Sequence, residues 1–324
     1  MKLTIAMAQL DATVGAIGDN AAKAVEVIRR SRKMGMDMVV FPEMFLTGYP
    51  TNDLLFEEGF VEENERALHE EIVPETGGIA VIMGFVRKGE GRKKIEDAPV
   101  LYNCAAVAAD GKVVDYVKKT LLPNYDVFDE KRYFTPGEEG EILPVRVRTG
   151  GREYKVGVQI CEDLWDDEYP TKVTRLLYER GSDFMVNVSA SPFYAGKAFE
   201  RERLVRERVR ESPAAFVYVN TVGGQDDLVF DGRSFVVDRE GKVVARAAGF
   251  EEEVYALEMD TETWRGDEVA APAYVREEEI LKAHVLNLRD YFVKQGIFKG
   301  IVVGLSGGVD SAYTAYVASQ AVGG

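Results

Sequence analysis

Residues 154–165, YKVGVQICEDLW, decide the fold and present its most informative chemistry. The apolar run 154–160 predicts a buried strand, which ends at Cys161. Two carboxylates, Glu162 and Asp163, follow at once. Because α/β folds present functional groups where a strand opens into a loop, Cys161 is a candidate functional residue. The alternative is a small buried core residue, an interpretation that suits Cys104 in its apolar strand better.

Strand-like and helix-like segments alternate on both sides of this stretch. We predict strands at 3–10, 36–41, 79–86, 183–189, 214–220 and 254–259, helices at 20–35, 170–180 and 197–211, and hairpins around Asp110-Gly111 and Glu240-Gly241. This β-α-β alternation with inserted hairpins predicts an α/β layered fold with mixed sheets.

The pattern changes after residue 262. Residues 263–276 lack periodicity and are predicted to be a linker, and 277–295 is an amphipathic helix. A strand at 301–305 and a second helical start follow. Because these few elements leave a strand without a sheet, we expect residues 277–324 to be the truncated beginning of a second α/β domain.

The loop before that second helix reads SGGVDS, Ser306–Ser311. Gly307 and Gly308 allow backbone N–H groups to approach an anion, and a helix N-terminus favours negative charge. The loop lacks the Gly-Lys-Ser/Thr of a Walker-type P-loop. A serine–glycine turn that only caps the helix is the alternative.

Composition excludes several functional classes. The 324 residues carry 40 Lys and Arg against 55 Asp and Glu, a net charge of -15, which argues against a nucleic-acid or membrane-surface binder. No apolar run approaches the roughly 18 residues of a membrane span. Two cysteines do not form a disulfide framework, so a cytoplasmic location is expected. His69 and His284 offer little for zinc or Cys–His chemistry, so we expect no metal site.

Without a usable histidine, the base for a nucleophilic Cys161 should be a carboxylate. Glu43 follows an apolar strand and Pro42, and burial there would raise its pKa toward the range of a general base. Neighbouring carboxylates raise the pKa of a thiol, so a nearby cation is also needed. Lys118 or Lys119, at another strand end, could supply it, although each of these charged groups could also be an ordinary solvated side chain.

Glu and Arg alternate through residues 200–211 (ERERLVRERVRE). Glu202 and Arg206 stand at i and i+4, so we predict a solvated, salt-bridged helix face rather than a nucleic-acid patch. One arginine of this helix could still reach a substrate carboxylate.

Three blocks, VVFPEMFLTGYP, KKTLLPNY and QICEDLW, resemble the nitrilase, or carbon–nitrogen hydrolase, superfamily. The resemblance covers residues 1–262 and implies an α-β-β-α sandwich with two mixed β-sheets. It implies Glu43 as general base, Cys161 as nucleophile, and Lys119 rather than Lys118 as the group that stabilises the tetrahedral intermediate. Glu130, seven residues before Gly137, matches a supporting carboxylate of that family.

Further blocks, LPNYDVFDEKRYF, NVSASPFYAGK, GGQDDLVFDGRSF and SGGVDS, resemble the glutamine-dependent NAD synthetases, with a fragment of a doubly wound ATP pyrophosphatase domain at the end. This branch implies glutamine hydrolysis without a cofactor, and ammonia transfer to nicotinic acid adenine dinucleotide using ATP with magnesium. A homo-oligomer is also implied. The implied glutamine-binding residues are Tyr125, Phe128, Glu162, Trp165 and Ser189, with Ser191 as the alternative serine, and the implied ATP-binding residues are Ser306, Gly307, Gly308, Asp310 and Ser311.

Two other hypotheses remain open from the sequence. The chain could be an amidase of the same superfamily that acts on another amide. It could also be a catalytically silent domain that serves only in assembly.

Overall fold

A computed structural model describes residues 1–92 and 99–323 of the chain. Within these residues, two six-stranded sheets and a small two-stranded hairpin form the β-structure. The strands are β1 Lys2–Gln9, β2 Met38–Val40, β3 Ala80–Arg92, β4 Pro99–Ala109, β5 Lys112–Lys118, β6 Val145–Thr149, β7 Arg152–Ile160, β8 Phe184–Ser189, β9 Ala215–Asn220, β10 Val222–Gln225, β11 Leu228–Asp231, β12 Phe235–Val237, β13 Val243–Arg246 and β14 Glu253–Asp260.

Both large sheets are mixed, as the sequence predicts. The first has the order β14-β1-β2-β3-β4-β5, and the second has the order β13-β12-β9-β8-β7-β6. In each sheet, three central strands run parallel and the outer strands are antiparallel to their neighbours. The carboxyl ends of the parallel strands therefore meet at one edge of each sheet, where loops can carry functional side chains.

The two sheets pack face to face because their strands are apolar on both faces. On β1, Leu3, Ile5 and Met7 point into the core between the sheets, whereas Ala6 and Ala8 point to the opposite face. This alternation follows from the two-residue period of a strand. Strands that are buried on both faces require a further layer outside each sheet.

Helices supply these outer layers. Helix α1 packs on the outer face of the first sheet, and α4 and α5 pack on that of the second. The predicted α-β-β-α sandwich is confirmed. The helices are α1 Ile17–Lys33, α2 Phe60–Ala67, α3 Glu130–Tyr133, α4 Val173–Glu179, α5 Lys197–Glu211, α6 Arg276–Gln295 and α7 Val309–Val322, with 3₁₀ segments at Asn52–Phe56, Val73–Thr76, Glu139–Glu141, Cys161–Leu164 and Asp166–Glu168 and a π segment at Leu68–Ile72. Among residues 1–92 and 99–323, no helix is both long enough and apolar enough to cross a membrane.

The C-terminal part differs from the sequence prediction in one element. Residues 264–275 contain neither helix nor strand, and α6 and α7 form as expected. The predicted strand at 301–305 is wrong, because these residues have no strand partner in the described part of the chain. The side chain of Val302 is accordingly 99% exposed. The domain boundaries at 262 and 276 stay predictions.

Candidate active site

Three strand ends bring the main candidate residues together. Glu43 follows β2, Lys119 follows β5 directly, and Cys161 follows β7 directly. The three residues are 2%, 1% and 4% exposed. An acid, a base and a thiol that are all withdrawn from water interact far more strongly than the same groups at a surface.

Lys119 lies between two buried carboxylates. Its Nζ donates hydrogen bonds of 2.7 Å to Glu43 Oε1 and 2.7 Å to Glu130 Oε1. Glu130 Oε1 also accepts a hydrogen bond of 3.0 Å from the Tyr49 hydroxyl. The cation therefore fixes both carboxylates and offsets their charge beside the thiol.

Burial and these charges shift the proton affinities. Burial opposes the charge of Lys119, but the carboxylates of Glu130 and Glu43 outweigh it and raise its pKa well above the ordinary value. Burial raises the pKa of Glu130 to about 7, against the opposing charge of Lys119. Burial and the Glu43 charge raise the pKa of Cys161 well above that of a free thiol, and Lys119 offsets only part of this. Cys161 is therefore a neutral thiol at neutral pH and needs a base to become a nucleophile.

The Glu43 carboxylate is held by donors that the sequence did not reveal. Asn103 Nδ2 donates to Glu43 Oε1 at 2.7 Å, and the Ala190 N–H donates to Oε2 at 2.8 Å. Gly84 lets β3 pass against the same segment, since a Cβ there would overlap the backbone of residues 42–44. These contacts come from three separate segments of the chain, and together they fix the Glu43 carboxylate next to Cys161.

Cys161 sits in a tight turn between β7 and the 3₁₀ segment that follows. Its φ is 42°, a left-handed value that is strained for a residue with a side chain. Asp163 stabilises this turn: its Oδ2 accepts the Ile160 N–H at 3.0 Å, and its Oδ1 accepts the Thr120 and Leu121 N–H groups at 3.0 and 2.8 Å. Asp163 therefore ties the segment after Lys119 to the turn that carries Cys161.

A cavity of about 410 Å³ opens at Cys161. Four predicted ligands line it, namely Tyr125, Phe128, Glu162 and Trp165. Ser191 also lines the cavity. Ser189 ends β8, and its hydroxyl donates to Asn187 Oδ1 at 2.5 Å. The geometry therefore favours Ser191 over Ser189 as a residue that faces a ligand.

The cavity wall carries opposite charges. Glu162 accepts hydrogen bonds from the Tyr125 hydroxyl, at 3.1 and 3.0 Å, and from the Tyr169 hydroxyl, at 3.0 Å. Lys197, which carries no distinguishing sequence signal, lies with Nζ 3.8 Å from the centre of the Trp165 ring. Burial lowers the pKa of Lys197, and the charge of Arg201 adds to this effect. An anion and a cation beside one thiol suit a small zwitterionic ligand.

The prediction of a solvated face on α5 is wrong for two of its arginines. Arg201 and Arg208 are buried, because α5 packs against the second sheet. Glu202 pairs with Arg246 at 2.7 Å rather than with Arg206, which lies 3.0 Å from Glu268. The alternating charges of α5 therefore did not reveal that two of its arginines are buried and help to hold the helix in place.

The remaining candidates lie outside this cavity. The Ser306–Ser311 loop is exposed at the start of α7, and Gly307 has a φ of 91°. The hydroxyls of Ser306 and Ser311 are 3.1 Å apart. His69 and His284 contact Tyr116 and Tyr313 instead. Residues 1–92 and 99–323 contain no group of three or more His, Cys, Asp and Glu that could hold a metal ion.

Comparison with known proteins places this geometry in a family. The family model for carbon-nitrogen hydrolase matches residues 4–267, and that for NAD synthase matches residues 280–324. The chain belongs to the carbon–nitrogen hydrolase family.

Relatives of the chain confirm the predicted resemblance. A glutamine-dependent NAD(+) synthetase of Thermotoga maritima is 37% identical over 99% of this chain and 59% of its own length. One from Synechocystis is 38% identical over 99% of this chain and 58% of its own length. The chain therefore spans a little over half the length of these curated relatives.

Solved structures show the same similarity. The glutamine-dependent NAD+ synthetase of Acinetobacter baumannii has a TM-score of 0.88 and 35% identity, over 100% of this chain and 58% of its own. A carbon-nitrogen hydrolase from Helicobacter pylori has a TM-score of 0.67 at 23% identity, which supports the fold alone. It covers 82% of this chain and 91% of its own, consistent with the sandwich being shared.

Proposed function

We propose that the chain hydrolyses the side-chain amide of glutamine through a thioester on Cys161. The observation that carries the proposal is the cavity that opens at Cys161 beside Glu162 and Lys197, with the buried Glu43–Lys119 pair behind the thiol. The amide would enter toward the thiol, and the amino acid end would lie against the charged wall. The match to glutamine-dependent relatives supports the same substrate.

Glu43 starts the reaction by accepting the Cys161 proton. The thiolate then attacks the side-chain carbonyl carbon, and its π electrons move to the oxygen. Lys119 and the backbone N–H of Glu162 stabilise this oxyanion, the type of interaction that usually contributes most to catalysis. As the C–N bond breaks, Glu43 returns its proton to the nitrogen, so ammonia leaves and a glutamyl thioester remains.

Water completes the cycle. Glu43, again a carboxylate, accepts a proton from water, and the hydroxide attacks the thioester carbonyl. The C–S bond breaks, glutamate leaves, and the Cys161 sulfur recovers the proton from Glu43. Glu130 does not exchange protons in this scheme; with Lys119 it keeps Glu43 oriented toward the thiol.

Glutamine recognition uses the two signs of charge on the wall. Glu162, oriented by the hydroxyls of Tyr125 and Tyr169, binds the α-ammonium group. Lys197 binds the α-carboxylate, the role expected from the sequence for an arginine of this helix. The other proposed contacts are the rings of Phe128 and Trp165 and the hydroxyl of Ser191.

In a longer protein of this kind, the ammonia would be transferred to nicotinic acid adenine dinucleotide at the expense of ATP and magnesium, giving NAD. The match of residues 280–324 to the NAD synthase model supports this proposal. Within this chain, we propose that Ser306, Gly307, Gly308, Asp310 and Ser311 hold the ATP pyrophosphate. The left-handed Gly307 and the α7 N-terminus present backbone N–H groups suited to an anion.

We also propose a cytoplasmic, homo-oligomeric protein. Both cysteines are free thiols, which supports a reducing compartment. The family resemblance supports the oligomer. Size-exclusion chromatography with light scattering would test it, and a mass of one chain would contradict it.

A panel of amides tests the proposed function. We expect the chain to release ammonia from glutamine faster than from asparagine, acetamide or propionamide, and Cys161→Ala to release none. Cys104→Ala is the matched control, since Cys104 is buried in β4 and should keep its activity. Preference for another amide would instead indicate an amidase of different specificity, and no turnover of any amide would favour an assembly domain.

A further inference from the structure

Arg201 of α5 is a fully buried arginine beside the cavity, with an exposure of 0%. Its Nε donates to Ser191 Oγ at 3.1 Å, and its Nη2 donates to the carbonyl oxygens of Ser191 and Pro192 at 2.8 and 3.1 Å. Its Nη1 donates to Asp231 Oδ1 at 2.6 Å. Burying a guanidinium costs free energy unless its N–H groups are paired. Arg201 therefore holds this position only together with these partners.

The contacts join two walls of the cavity. Ser191 and Pro192 belong to one wall, and the β10–β11 hairpin contributes Leu228 and Val229 to another. Asp231 ends β11, and the walls also meet where the Phe193 N–H donates to the Val229 carbonyl at 2.7 Å. Arg201 therefore fixes the spacing between the two walls.

The chain of charges continues to helix α6. Arg233 Nε lies 3.7 Å from Asp231 Oδ2, and Arg233 Nη2 lies 2.5 Å from Glu279 Oε1 on α6. Helix α6 also contacts the β10–β11 hairpin directly, because Asp290 Oδ2 accepts a hydrogen bond of 2.6 Å from the Gly224 N–H. Glu279 and Asp290 are both buried. The position of α6 is thus linked to the cavity wall through Glu279, Arg233, Asp231 and Arg201.

We propose that Arg201 is a positioning residue for glutamine and that the Glu279–Arg233 pair carries the position of α6 to the cavity wall. This inference rests on the proposed function. Arg201 touches neither the thiol nor the reacting amide in this scheme, so its loss should weaken substrate binding more than chemistry. Displacement of α6 would loosen the same wall.

Steady-state glutamine hydrolysis by Arg201→Lys tests the first part. Lysine keeps the charge but loses the planar fork that reaches Ser191, Pro192 and Asp231 together. We expect KM to rise about tenfold with kcat within about twofold of wild type. The rate of Cys161 alkylation by iodoacetamide, which needs no amino acid pocket, should stay unchanged.

Arg203→Lys is the matched control, since Arg203 lies on the same helix but is exposed and pairs with Glu207 at 2.9 Å. It should leave KM unchanged. An unchanged KM in Arg201→Lys, or equal losses in kcat and in alkylation, would overturn the positioning role. A wild-type chain that did not hydrolyse glutamine would overturn the proposed function instead.

Glu279→Gln tests the link to α6 and keeps the inference testable if Arg201→Lys fails to fold. We expect KM to rise about threefold, and the double variant to show less than the product of the single effects, because both act on one chain of contacts. Multiplicative effects, or an unchanged KM in Glu279→Gln, would overturn the link.

Discussion

Residues 154–165 and residues 301–311 look alike in sequence but differ in the structure. Each is an apolar run that enters a polar turn and then a helical segment. The first run becomes β7, hydrogen-bonded between β6 and β8, and its turn places Cys161 in a buried site. The second run forms no strand, and Leu305 is exposed. An apolar run becomes a strand only where partners satisfy its backbone and another layer covers it.

The difference has chemical consequences. Around Cys161, burial forces charged groups to pair, so Lys119 is locked between Glu43 and Glu130. The hydroxyls of Ser306 and Ser311 bond each other in contact with solvent. Changing single residues in each region should therefore have very different effects.

The largest effect is expected from Glu43→Gln. The amide keeps the shape but cannot accept the Cys161 proton, so kcat for glutamine should fall about a thousandfold. Glu141→Gln is the control, because Glu141 is an exposed carboxylate paired with Lys118. Normal turnover in Glu43→Gln would remove Glu43 as the base.

Lys119→Met should come next, measured as the free energy of unfolding in urea. It leaves two buried carboxylates without their cation, at a cost of about 3 to 5 kcal/mol at pH 8. Because burial raises the pKa of Glu130 to about 7, the cost should shrink at pH 5, where this carboxyl is protonated. Lys118→Met, which removes a partly exposed partner of Glu141, should cost less than about 1 kcal/mol. Equal losses for the two lysines would contradict the buried pairing.

A pair of identical substitutions tests the two apolar runs most directly. Val156→Ala, in β7, should lower the free energy of unfolding by about 2 kcal/mol, because Val156 is fully buried between the sheets. Val302→Ala should change it by less than about 0.5 kcal/mol, because Val302 is 99% exposed. A comparable loss at Val302 would mean that residues 301–305 are packed after all.

The smallest expected effect is in the pH dependence of alkylation. In a Cys104→Ser background, the raised pKa of Cys161 keeps its thiol protonated, so iodoacetamide should react at least about tenfold more slowly at pH 7.5 than with a free thiol. The rate should keep rising beyond pH 9. A plateau below pH 8 would show a thiolate that needs no base.

The sequence could predict which strand ends carry the main candidate residues. Glu43, Lys119 and Cys161 each follow an apolar run, and the family blocks named four further residues that line the cavity, Tyr125, Phe128, Glu162 and Trp165. The sequence could not predict the backbone donors of the site, such as the Ala190 N–H that binds Glu43, because a backbone donor is not marked by any residue type. Of the two serines that the sequence left open, Ser191 lines the cavity, because β8 extends through residue 189 and the hydroxyl of Ser189 bonds within that strand.

Burial on α5 was also hidden from sequence. Glu and Arg alternate there as they do on a solvated helix, yet Arg201 is enclosed by Ser191 and Asp231. Its partners lie 10 and 30 residues away along the chain, so only the fold brings them together. The strand expected at 301–305 failed for the opposite reason, since its local pattern was right and its partner was missing from the described residues.

Labelling with a diazoketone analogue of glutamine, followed by peptide mass spectrometry, tests the central claim most directly. We predict one covalent adduct per chain, located on Cys161, slowed by added glutamine and absent from Cys161→Ala. Cys104 should stay unlabelled. An adduct elsewhere, or a Cys161→Ala chain that is still labelled at the wild-type rate, would contradict Cys161 as the nucleophile of a glutamine site.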